Sequence, residues 1–143
     1  MNFISNFYSY LDALLVFDQL ALFVLRVFVG VLFVIHGAPK LKNLRTTWQN
    51  FEAMGFKPGK IWGTIPAFLE SIGGFFIIIG FLVQPIAVLL VAQMGVAAGW
   101  RIKNKHSFVN GYELDLLLIV ALGILVVNRS EILALDNYLR MLS

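Results

Sequence analysis

Residues 20–38 read LALFVLRVFVGVLFVIHGA, nineteen positions that hold one charge, Arg26, and one histidine, His36. A run of that length is what an α-helix needs to cross a hydrocarbon core about 30 Å thick, at about 1.5 Å per residue. The pattern then recurs. Residues 61–83, IWGTIPAFLESIGGFFIIIGFLV, form a second block whose one charge is Glu70. Residues 85–100 and 112–127 form a third and a fourth of 16 residues each, short enough that they must borrow flanking residues or sit where the bilayer thins. Strands of alternating polarity, which a barrel would need, are not seen, so helices are the spanning structure. The reading is an all-α transmembrane four-helix antiparallel bundle.

Composition agrees. Of the 143 residues 59% are hydrophobic, and with the 12 glycines the share reaches about two thirds, against about 45–50% in soluble domains. Charged residues make up 13% and mean hydropathy is +0.84, too little polarity to cover a water-facing surface of ordinary size. A chain of this length makes one domain. Without cysteine it forms no disulfide, ligates no iron–sulfur cluster and runs no thiol exchange, so redox chemistry would need a bound organic cofactor or a partner. Phosphate loops, metal-ligand spacings and nucleophile elbows are absent, and two well-separated histidines make a poor metal site. The net charge of +3 and pI near 9.4 are read as topology signal rather than as a nucleic-acid surface.

Residues 1–19 are expected to form an amphipathic interfacial lead-in helix, with Ile4, Phe7, Leu11, Leu14 and Leu15 on one face and Asn2, Ser5, Asn6, Ser9 and Asp12 on the other. A cleaved signal peptide is disfavoured, since a basic n-region and a small-x-small cleavage site are missing. Residues 20–143 form the membrane domain. Between the first two blocks, Trp48, Phe51 and Met54 before Gly55 predict a short helix at the interface. Val83, Gln84 and Pro85 predict a tight hairpin between the second and third. Lys40, Lys42, Arg45, Lys57, Lys60, Arg101, Lys103 and Lys105 lie on one side, and Arg129 and Arg140 on the other. If all four blocks span, that asymmetry puts both larger loops in the cytoplasm and both termini outside.

Arg26 and Glu70 would each cost about 2.5–3.5 kcal/mol at the bilayer centre, so both should face inward and meet. In antiparallel helices the depth of Glu70 falls between Arg26 and His36, and either could be its partner. Gly63, Ala67, Glu70, Gly73 and Gly74 share one helical face, and Arg26, Gly30 and Gly37 another, giving small-residue seams for close packing. Gln93 is placed to complete this polar core. At the basic end His36 and Lys40 should converge with Glu113 and Asp115, where a histidine beside a carboxylate can exchange protons near neutral pH. Bland roles stand beside these: an Arg26–Glu70 pair as structural glue, His36 as a hydrogen-bonding cap, Lys40 as topology signal, and Asp115 as a solvated helix start. Trp48, Trp62 and Trp100 fit interfacial anchors.

The stretch LRVFVGVLFVIHGAPKL, residues 25–41, resembles the first-helix signature of the DoxX family: Leu-Arg, a glycine four residues later, then His-Gly-x-x-Lys. GFKPG resembles the family's short Gly/Pro connection, IPAFLESIGGFFIIIGF its Glu-x-x-Gly-Gly second helix, and NGYELDLLLIV its Gly-x-Glu fourth helix, over about residues 20–128. The terminal stretch NRSEILALD departs from the family's turn and keeps only Arg129, Leu135 and Asp136 of it. The resemblance implies a four-helix membrane protein related to subunits of thiosulfate:quinone oxidoreductase or to partners in membrane redox complexes. Arg26, His36, Lys40, Glu70 and Glu113 are the positions matching its motifs. The expected function is a quinone-interacting or redox-complex accessory subunit, without covalent cofactor. His36, Glu70 and Glu113 would handle protons, and Arg26, His36, Lys40 and Gln93 would hold the quinone. Its partners would be the lipid bilayer, soluble or membrane redox subunits, or further copies of the chain. The alternatives are a non-catalytic scaffold or assembly subunit, and a small-solute or proton carrier.

Overall fold

A computed structural model of the chain describes the backbone of residues 3–128 and 134–142, and the side chains of 17–128, 134–139, 141 and 142. Helix α1, Phe3–Lys42, runs without a break across the boundary drawn between lead-in and membrane domain. The face assignment for the lead-in, and Arg129, lie outside the described side chains, as does that of Arg140. Pro39 falls near the end of α1, and its carbonyl still accepts from Asn43 at 3.1 Å. The Thr47 hydroxyl donates to Lys40 O (3.0 Å) and Asn43 O (3.1 Å), tying the corner to the next helix, α2 (Leu44–Ala53). Gly55, at φ +94°, ends that short helix where the sequence placed its stop.

The second span is α3 (Gly59–Phe68), one turn of π-helix (Leu69–Gly73) and α4 (Gly74–Ile79), continuous end to end. Gly80 (φ +75°) and Leu82 (φ +48°) reverse the chain into α5 (Val83–Lys103). The last span enters through a bend at Val109 and Asn110 and continues as α6 (Glu113–Val127). The C-terminal α7 covers Leu135–Leu142. Four segments are long and apolar enough to cross a membrane: Phe17–Lys42, Gly59–Ile79, Val83–Lys103 and Phe108–Val127. The third and fourth reach 21 and 20 residues by recruiting flanking residues, the third at both its ends and the fourth at the basic end, as their short apolar blocks required. Among the described residues there is no strand.

Val29, Phe33, Ile77, Ala87, Leu90, Leu122 and Leu125 fill the interior, while Phe28, Ile35, Phe75, Leu89, Leu117 and Val120 point outward. An apolar outer surface of this kind is stable only against acyl chains, so the chain is a multi-pass membrane protein.

Glycines set the register of the first two spans. A Cβ on Gly30 would lie 2.7 Å from Gly74 O, and one on Gly74 would lie 2.9 Å from Gly30 O, so two backbones touch where any side chain would separate them. One helical repeat on, Gly37 faces the π-turn, where its Cβ would lie 2.5 Å from Ser71 N. Gly63 belongs to a different contact from the one its helical face suggests: it packs on Trp48 and Thr47 of α2, not on α1.

Candidate functional site

Glu70 lies in the π-turn, 2% exposed. A π-turn widens the ladder by one residue and is a frequent local device at functional sites. With Gly37 opposite Glu70 and Ser71, the next α1 residue on that face toward the basic end is Lys40. Its Nζ donates to Glu70 Oε1 at 2.7 Å and Oε2 at 2.6 Å, and Gln93 Nε2 on α5 donates to Oε1 at 2.5 Å. Lys40 keeps 36% of its side chain exposed, so the pair joins the protein interior to the bundle flank. Two buried polar atoms next to it, Ser71 Oγ and Gln93 Oε1, have no hydrogen-bond partner among the described residues.

A second ion pair lies nearer the basic loops. Arg101 Nη1 donates to Asp115 Oδ2 at 2.7 Å and to Gly111 O at 2.9 Å. Asp115 is 5% exposed, not a solvated helix start. The two pairs share α5, through Gln93 and Arg101, eight residues or about 12 Å apart along it. The sequence reading missed Ser71 and treated Arg101 only as a marker of topology. Matching Gly30 with Gly74 in an ideal antiparallel register would have set Gly37 against Ala67, three residues short of Glu70, so the Lys40 contact was not legible from the glycines alone.

Arg26 does not meet Glu70. It is fully buried, but eleven residues from Gly37 along α1, about 16 Å at the helical rise, and so level with the Gly80 turn. There its guanidinium lies over the Phe23 ring at 5.3 Å from the centroid, with Asp136 as the acid whose charge acts on it. Nor is His36 the partner: it is exposed on the flank, with Nδ1 2.8 Å from Leu32 O. Glu113 stands apart from the Glu70 centre, its Oε1 accepting from the backbone N–H of Asn110 at 3.0 Å at the start of α6. Of the residues singled out beforehand, the structure brings together Lys40, Glu70 and Gln93. Among the described residues no three histidine or acidic side chains are grouped as a metal site would need.

The model of the DoxX family matches residues 21–102, which include Arg26, Lys40, Glu70 and Gln93. A Bacillus subtilis (strain 168) protein named "Putative oxidoreductase CatD" is 28% identical over 120 residues, 84% of this chain and 87% of its own length. No solved structure matches.

Proposed function

Since the chain belongs to the DoxX family and crosses the membrane four times, we propose that it is the quinone-interacting membrane subunit of an oxidoreductase complex, set in the cell (inner) membrane with its basic loops in the cytoplasm. The observation that carries this reading is the Lys40–Glu70–Gln93 centre, a carboxylate almost sealed from solvent in a span. Ionisable groups at such depth are costly and mark functional sites by default. The name of the Bacillus subtilis relative points the same way.

The residues fit a quinone head. Its ring oxygens need donors when oxidised and an acceptor when reduced. Beside Glu70, the Ser71 hydroxyl and the third Lys40 N–H can donate, and Gln93 Oε1 can accept. A bound quinone supplies the two-electron, two-proton chemistry, and the electrons come from a partner redox subunit. Within this chain Glu70 holds and releases a proton at its carboxylate, and Lys40 balances the charge left behind. His36 and Glu113, outside this centre, take no part in holding the head.

The test is a titration of the purified protein in nanodiscs with a short-chain quinone. Saturable binding is expected, weakened roughly tenfold by Ser71→Ala or Glu70→Gln, equivalent to about 1.4 kcal/mol. Lipid-facing Phe75→Ala should leave it unchanged. A folded protein that shows no saturable binding would refute the proposal, and co-purification of stoichiometric redox enzymes without it would favour a scaffold.

A further inference from the structure

The C-terminal helix α7 has its polarity turned inside out. Leu135, Tyr138, Leu139 and Leu142 recur at the spacing of one helical face, and all four are exposed. Asp136 and Asn137, on another side of the helix, are the partly buried ones. A helix docked on a water-soluble protein does the reverse, because apolar area removed from water is what holds it there.

The polar attachment is specific. The Asp136 N–H donates to Gly80 O at 3.1 Å. A Cβ on Gly80 would lie 2.6 Å from Ala134 Cα and 2.8 Å from Arg26 Nη1, so the hairpin, the entry to α7 and the buried guanidinium meet at one point. Asp136 is also the acidic group that acts electrostatically on Arg26.

That point lies where the second span ends at Ile79 and the third begins at Val83, beside a first span that runs on past it. The first span continues from Arg26 out to Phe17, nine residues or about 14 Å further. Along that length Phe17, Leu20 and Val24 are exposed and apolar. The first span therefore needs lipid at and beyond the height where α7 attaches.

We propose that α7 is a lipid-embedded segment: its polar face clasps the Arg26–Gly80 corner, and its Leu135, Tyr138, Leu139 and Leu142 face contacts the acyl chains of the surrounding bilayer. Arg26 thus has a role separate from the Glu70 centre. It holds a polar anchor inside the bundle, on which a helix too short to cross the membrane can lie with its apolar face outward. The inference does not rest on quinone binding.

The chain lacks cysteine, so Leu139→Cys, Leu142→Cys and, as a reference in a basic loop, Lys105→Cys each carry a single nitroxide label. The labelled full-length proteins are reconstituted into phosphatidylcholine/phosphatidylglycerol vesicles. Power-saturation electron paramagnetic resonance then compares collision with oxygen, which enters lipid, against collision with a water-soluble nickel chelate. Oxygen should dominate at 139 and 142, and the chelate at 105. Chelate dominating at either α7 position would place the helix in water, and a label reached by neither collider would mean that another protein chain covers it; both results overturn the proposal. Adding Asp136→Asn to Leu139→Cys should raise label mobility and chelate access. An unchanged spectrum there would remove the clasp.

Discussion

Replacing Lys40 by methionine is expected to destabilise the folded bundle by about 3 kcal/mol, and adding Glu70→Gln should recover most of that loss. Breaking a buried ion pair from one side leaves an uncompensated charge, at about 3–5 kcal/mol, whereas replacing both members by neutral groups of similar shape is often harmless. The lower end applies because the Lys40 side chain is 36% exposed. Reversible unfolding in mixed micelles, followed by circular dichroism, gives the three values and the coupling between the sites. If the double variant is as unstable as the sum of its single changes, the two residues do not act as a pair. The same variants separate stability from chemistry: a recovered fold that no longer binds quinone would assign the pair its functional part.

The second large effect concerns a methyl group. Gly37→Ala should destabilise by about 1–3 kcal/mol, the usual cost of overpacking a filled contact. Its Cβ would lie 2.5 Å from Ser71 N and 2.7 Å from Glu70 Cβ, both on the π-turn, so α1 must move away from the residues that hold the carboxylate. That displacement draws Lys40 from Glu70 and should weaken quinone binding too. The identical change at Gly95, Gly99 or Gly123 meets nothing within 4 Å. Those variants should be neutral or gain up to about 1 kcal/mol through helix propensity. The micelle assay reads all four, and a Gly37→Ala protein as stable as Gly95→Ala would contradict the close approach of the two helices.

The four spans and their order were legible because bilayer thickness imposes a length that composition alone can display. The Gly55 stop was legible for a local reason, since glycine acts on the backbone within a residue or two, whereas the hairpin expected at Val83–Pro85 turns instead at Gly80–Leu82, with Val83, Gln84 and Pro85 already in α5. Asp115 was misjudged because helix-start acids are ordinarily solvated, and only the packing of α5 against α6 brings Arg101 over it. Ser71 offered no sequence signal, as a lone hydroxyl in a span usually bonds its own helix.

The amino-acid order by itself determined that this chain dissolves in lipid as four helices, and that Arg26 and Glu70 must hide from the acyl chains. Burial cost depends only on residue type and depth, and both can be read along one helix. Which charges meet was decided by tertiary structure. Contact of Gly30 with Gly74 slides α1 along the second span until Lys40, not Arg26, stands at the height of Glu70, and leaves Arg26 at the far turn beside Asp136. A shift of one or two helical turns would have chosen a different partner, and no periodicity within a single helix records that offset.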